Sequence, residues 1–276
     1  MSSSWQIAIL GCYALAAVLF AFDRYQPGTR ASHLGLLALG AGAILHALLL
    51  AASGIQAGNI PVADVGQALS FLAWLTALVG LVMIVRSRMV VVGAFLAPAV
   101  TIAFAAASIL MLKDARIVIP GPLRSVWLPI HVTLAILGYT MFVLAASVSI
   151  VYLAFEKRLK AKRARGPIED GLPSLEKLDR INYRLLGWGF AMLSLAIISG
   201  AIWADATWGH FWSWDPKESW SLVIWILYAG LLESRLTVGW RGRRAAALTI
   251  VVFGVLVGSF VGLNLIFPGK HGGSFG

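Results

Sequence analysis

Six of the eleven tryptophans in this 276-residue chain fall between Trp203 and Trp225. They run Trp203-Ala-Asp-Ala-Thr-Trp208-Gly-His-Phe-Trp212-Ser-Trp214-Asp-Pro-Lys-Glu-Ser-Trp220, with Trp225 beyond. An aromatic belt at a membrane surface accounts for about two or three of them, because indole prefers the headgroup level. The rest form a wide aromatic surface, suited to a flat and largely apolar ligand held by stacking and area burial. Within the stretch, Asp215-Pro216-Lys217-Glu218 has the order of a helix start: Asp caps, Pro fits the first helical position and Glu at the third closes a capping box. The free N–H groups and partial positive charge of such a helix start favour an anionic group such as a carboxylate.

The five histidines divide by position. His131 lies in the first turn of an expected helix, in Trp127-Leu-Pro129-Ile-His131, and His271 follows the end of the last one, in Pro268-Gly-Lys270-His271. The order of crossings puts both at the same side and depth as the tryptophans. Two neutral imidazoles across a flat aromatic pocket suit the axial positions of a haem iron, while either one alone is usually only a polar interfacial anchor. His46 falls in the middle of an apolar run, where an ionisable group is costly and marks either a functional site or a hydrogen bond to a neighbouring helix. His210 lies inside the tryptophan stretch, open to a ligand carboxylate or to water, and His33 borders the opposite face. The single cysteine, Cys12, excludes an internal disulfide and any Cys-x-x-Cys chemistry by this chain.

The elements that must position these residues are membrane helices. The chain is 59% hydrophobic and 12% charged, with a mean hydropathy of +0.85, which rules out a soluble enzyme. A helix needs about 20 apolar residues to cross roughly 30 Å of hydrocarbon. Eight charge-free runs qualify, near 5–22, 34–52, 66–85, 89–111, 126–155, 185–204, 216–233 and 245–267. The expected fold is therefore all-α, a single integral membrane domain over 1–276 with about eight transmembrane helices. If the chain starts outside, 17 of the 22 Lys and Arg residues fall on inner segments, which predicts both termini outside the cytoplasm. The basic loop 156–184 is then cytoplasmic, the tryptophan loop 203–220 is outer, and the run 174–183 is expected as a short surface helix. Residues 1–5 carry no basic residue, so the first run is expected as a retained helix and not a cleaved leader. The net charge of +10 follows from the inner loops, and no nucleic-acid partner is expected. Gly254, Gly258 and Gly262 form a stripe that permits close helix contact.

The run Gly200-Ala-Ile-Trp203-Ala, then Trp208-Gly-His-Phe-Trp212-Ser-Trp214-Asp215-Pro216-Lys217-Glu218, and Trp225-Ile-Leu-Tyr228, resembles the tryptophan-rich WWD domain of haem-handling proteins. These are the CcsA (ResC) proteins of system II cytochrome c maturation, with CcmC and CcmF as relatives. Trp127 to Tyr139 is similar to the CcsA segment carrying one outer haem-ligand histidine, and Gly262-Leu-Asn264 through His271 to the segment carrying the other. Asn59-Ile-Pro61-Val with Leu69-Ser-Phe-Leu-Ala-Trp74 is similar to the region before the third helix. The chain departs from the family in two places. Glu233 stands where CcsA proteins often have a histidine associated with an inner haem position, and Val-Ala-Asp64-Val-Gly-Gln67 differs from the usual pattern after Pro61.

The resemblance implies a protein of the cytoplasmic membrane that binds haem b at the outer face and presents it to an apocytochrome c with a Cys-x-x-Cys-His motif. It implies a CcsB (ResB)-like membrane partner and a share in a cytochrome c haem lyase, and leaves open whether haem is also exported through this chain. In that scheme His131 and His271 ligate the iron. Trp203, Trp208, Trp212, Trp214, Asp215, Lys217 and Trp220 belong to the haem-binding loop, with Arg124 and Lys270 as further cations for the propionates. Two alternatives stand beside it: a HemX-like haem-binding accessory protein without lyase activity, and a secondary transporter of small solutes. The transporter is disfavoured by the scarcity of intramembrane charges and of broken helices apart from Pro98.

Overall fold

The computed structural model describes residues 3–25, 30–58, 62, 64–113, 126–161 and 174–266. His271, Arg124 and Lys270 lie outside the described residues. Eight α-helices make up nearly all of the described chain: α1 Ser3–Tyr25, α2 Ala31–Ala57, α3 Val65–Ser87, α4 Gly93–Lys113, α5 Trp127–Lys160, α6 Leu175–Trp208, α7 Pro216–Leu236 and α8 Arg243–Ile266. A short 3-10 turn, Val90–Val92, leads into α4. No strand occurs among the described residues. Seven of the helices are long and apolar enough to cross a membrane, which makes this a multi-pass membrane protein. The exception, α7, carries Lys217 and Glu218 in its first turn and Glu233 and Arg235 near its end.

The eight expected runs correspond to these eight helices, with two extensions. The surface helix expected over 174–183 is instead the first part of α6, which runs 34 residues without a break. Ser174 Oγ accepts the Lys177 N–H at 3.2 Å and starts the helix there, and neither Gly nor Pro interrupts the chain before Leu186. Likewise α5 continues into the basic loop as far as Lys160, where Lys160 Nζ donates to Glu156 Oε1 one turn back at 2.8 Å.

The helices fall into two compact units, Met1–Ala115 with Ile150–Leu178, and Arg116–Ser149 with Asp179–Gly276. In the first, α1 packs on α2 and α4, and α3 packs on α4 and α2, closing a four-helix arrangement. The buried face of α3 is Gly66, Ser70, Ala73, Thr76, Ala77, Gly80 and Ile84. Apart from the adjacent Thr76 and Ala77, they follow at spacings of four and three, and mostly small side chains bring the backbones close. Ile9, Tyr13, Ala16 and Phe20 of α1 and Leu96, Val100, Phe104 and Ala107 of α4 are buried and likewise follow one another by three or four residues. Asp64 caps α3 by accepting the Gln67 N–H at 2.7 Å.

In the second unit the core is Phe142, Ala145, Leu186, Leu193, Ile224, Tyr228, Leu231, Val252 and Leu256. Phe142 and Tyr228 stack with centroids 3.6 Å apart and planes 5° from parallel. A Cβ on Gly138 would meet the Gly189 carbonyl oxygen at 3.1 Å and the Leu193 nitrogen at 3.2 Å, so α5 and α6 approach backbone to backbone there. At the other end of α6, a buried polar cluster holds the unit together. Arg235 donates to Asp179 Oδ2 at 2.8 Å and to Asn182 Oδ1 at 3.1 Å, and Asn182 Nδ2 donates to Ala145 O and Ser149 Oγ at 3.1 and 2.8 Å.

Candidate functional site

Helix α6 carries the first part of the tryptophan stretch, because the helix continues to Trp208 and ends at Gly209 with φ +77°. The chain then crosses Phe211 to Trp214 and re-enters a helix at Pro216. The capping box expected from Asp215-Pro216-Lys217-Glu218 is present. Asp215 Oδ1 accepts the Lys217 N–H at 2.9 Å. Glu218 Oε2 accepts the N–H and the hydroxyl of Ser213 at 2.8 and 3.1 Å and lies 3.4 Å from the Asp215 N–H. The helix start is thus held by the chain's own two carboxylates, and a ligand carboxylate gains little there. What the cap does instead is fix the turn that carries Trp212 and Trp214, whose φ of +58° is the conformation that turn requires.

A cleft of about 190 Å³ opens beside this turn. His131, Ala135 and Tyr139 of α5 line one side, Gly200, Trp203 and Ala204 of α6 another, and Trp212, Lys217 and Ser221 a third. His131 Nδ1 donates to the Ala196 carbonyl at 2.7 Å. Since that oxygen only accepts, Nδ1 carries the proton, and a neutral ring keeps its lone pair on Nε2. The ring stacks on Trp203, with centroids 6.2 Å apart and planes 26° from parallel. Trp203 in turn meets Trp208 at 5.4 Å, and Trp212 meets Trp214 edge-on at 5.9 Å.

Of the residues named from the sequence, the structure brings His131, Trp203, Trp212 and Lys217 to the cleft. Asp215 is the cap, Trp208 backs Trp203, and Trp214 and Trp220 are exposed at 71% and 40%. The Trp212 Nε1–H is buried without an acceptor among the described residues, as is His210 Nδ1. These groups fit haem: an imidazole with its other nitrogen committed to a carbonyl is the usual form of a metal-ligating histidine, and flat aromatic walls with an indole N–H and a Lys beside them suit a porphyrin bearing carboxylates. Nothing in the sequence marks Ala196 or Gly200 as part of the site. Gly200 stood in the motif, with nothing to mark it as the place where the imidazole touches α6.

His46 is fully buried in the first unit and does not line this cleft. Its Nδ1 lies 3.1 Å from Tyr13 Oη on α1 and its Nε2 lies 2.9 Å from Ser70 Oγ on α3, while Phe104 of α4 packs edge-on at 4.5 Å. Both ring nitrogens are therefore engaged, and the residue ties all four helices together. Glu233 is exposed, and Arg235 near the end of α7 pairs with Asp179 near the start of α6. No group of three or more His, Cys, Asp or Glu residues able to hold a bare metal ion exists among the described residues.

The fold and the cleft define a class: a multi-pass helical membrane protein with a histidine set in an aromatic pocket. The sequence model of the cytochrome C assembly protein family matches residues 62–271. Cytochrome c biogenesis protein CcsA of Synechococcus sp. (strain JA-2-3B'a(2-13)) is 33% identical over 331 residues, covering 98% of this chain and 94% of the relative. CcsA of Chlamydomonas reinhardtii is 34% identical over 242 residues, covering 86% and 67%, and CcsA of Guillardia theta is 30% identical over 240 residues, covering 81% and 80%. The chain belongs to the cytochrome c assembly family, among its CcsA proteins.

Proposed function

We propose that this protein serves cytochrome c maturation by holding haem b in the cleft at the outer face of the cytoplasmic membrane and presenting it to apocytochrome c. The observation that carries the reading is the His131 imidazole, with Nδ1 bound to Ala196 O, beside an aromatic cleft. His131 supplies one axial nitrogen and His271 the other. Trp203, Trp212 and the turn bearing Trp214 bury one part of the porphyrin, with Trp208 and Trp220 extending the aromatic surface. Lys217 and the Trp212 N–H face the propionates. Haem, as the cargo, offers two vinyl groups, and each thiol of Cys-x-x-Cys-His adds its sulfur and its proton across one of them, so no oxidant or reductant is consumed.

The task of the chain is to fix the vinyl edges relative to the incoming thiols, which is catalysis by orientation. The aromatic surround and the two imidazoles are the levers by which the chain sets the redox potential of the iron. A CcsB (ResB)-like membrane partner completes the lyase and delivers or receives the apocytochrome. The test is covalent haem attachment to a co-expressed apocytochrome c, with that partner present, in wild type beside His131→Ala. Attachment in the wild type and its loss in the variant is the expected result. A wild type that binds haem but never matures the apocytochrome would favour the HemX-like accessory role.

A further inference from the structure

The His131 ring rests on a bare stretch of α6. Its Nδ1 is 2.7 Å from Ala196 O, and Trp203 stacks against it. A Cβ placed on Gly200 would come within 2.7 Å of Nδ1 and 2.8 Å of Cε1, closer than real Cβ contacts come. Ala196, Gly200 and Trp203 follow at spacings of four and three, so they form one stripe on α6. The three heavy atoms nearest that Cβ are all in the His131 ring, so a methyl group there would act on the imidazole before it touched any backbone.

We propose that Gly200 is a positioning residue for haem ligation. By presenting no side chain, it lets the imidazole of His131 lie against α6 with Nδ1 donating to Ala196 O and Nε2 offered to the iron. This rests on the haem reading of the cleft and deepens it. The carbonyl bond does three things at once for a ligating histidine: it selects the tautomer, fixes the ring plane and raises the basicity of the other nitrogen. All three depend on the ring reaching the α6 backbone. Any side chain at 200 pushes it away.

The experiment uses the full chain in detergent, loaded with hemin and reduced with dithionite, as wild type, His131→Ala, Gly200→Ala and the double variant. The reduced spectrum and the midpoint potential of the bound haem are recorded. Gly200→Ala is expected to lose the low-spin bands in favour of high-spin haem, and free imidazole is expected to restore them. In the His131→Ala background the same substitution should add nothing, because the ring it displaces is gone. If Gly200→Ala fails to accumulate, the double variant decides: with the clash removed it must accumulate as His131→Ala does, and its failure would overturn the proposal. Unchanged low-spin bands and potential in Gly200→Ala, with the bands lost in His131→Ala, would overturn it and leave the haem reading standing. A spectral change of equal size in both backgrounds would also overturn it. If His131→Ala itself keeps the wild-type spectrum, the haem reading falls, and the role of Gly200 with it.

Discussion

Replacing Asp179 by Ala should destabilise the protein severely without altering its haem site. The Arg235 side chain is 5% exposed, and its ion pair with Asp179, at 2.8 Å, is the charge that balances it. The same carboxylate accepts the Gly242 N–H at 3.0 Å, tying down the turn before α8, while the Tyr183 ring lies 5.1 Å from the guanidinium. Removing one partner of a buried pair leaves a desolvated charge without compensation, which costs about 3–5 kcal/mol. The stranded Gly242 N–H pushes the loss toward the upper end. Removing both charges is different: Asp179→Leu with Arg235→Met escapes the penalty of an unpaired buried charge and loses the bonds to Gly242 N–H and Asn182 Oδ1, so it should cost about 1–3 kcal/mol, clearly less than the single variant. The assay is reversible SDS unfolding in mixed micelles, followed by circular dichroism. Along α6, Gly200 lies about 30 Å from Asp179 at 1.5 Å per residue, so the folded fraction of each variant should bind haem with the wild-type spectrum. A single-variant loss below about 1 kcal/mol, the range of exposed ion pairs, would refute the reasoning. So would a double variant as unstable as the single one.

Three further outcomes are expected. His46→Phe keeps an aromatic ring but strands the Tyr13 and Ser70 hydroxyls in the first unit, and should cost about 1–3 kcal/mol in the same unfolding assay; adding Tyr13→Phe should recover part of it, and a double variant worse than the single would count against the His46 clamp. Glu218→Ala releases Ser213 and the Asp215 N–H, removes half of the capping box at about 1 kcal/mol, and should weaken haem binding several-fold by loosening the Trp212–Trp214 turn; unchanged affinity in a hemin titration would show that the turn does not touch the ligand. Trp203→Ala removes the ring stacked on His131 and should raise the haem dissociation rate, checked by transfer to apomyoglobin.

The helices were legible because membrane spans declare themselves by length and apolarity, and the α7 cap because Asp, Pro and Glu each act locally. His131 was legible as a ligand candidate by depth. Its seat was not, since Ala196 lies 65 residues away and is recognised only by a backbone oxygen. The surface helix expected over 174–183 became part of α6 because charges at a helix end are compatible with a continuous helix whose buried face persists. That face held a usable signal: Ile224, Tyr228, Leu231 and Arg235 are the buried positions of α7 at spacings of four, three and four, so Arg235 stands on the apolar stripe and needs a buried partner. Asn182 stands on the equivalent stripe of α6 with Leu186 and Leu193. Which residues would meet there depends on how the helices pack, and a single helix pattern does not contain that.

In the proposed function, His131 and His271 hold haem against the tryptophan surface. The measurement that meets it most directly is the dithionite-reduced absorption spectrum of the detergent-purified protein, as wild type, His131→Ala and His271→Ala. A low-spin, bis-imidazole spectrum in the wild type, weakened or lost in each variant, is the predicted result. A wild type that stays haem-free even with hemin and its membrane partner supplied, or a spectrum that neither substitution changes, would contradict it.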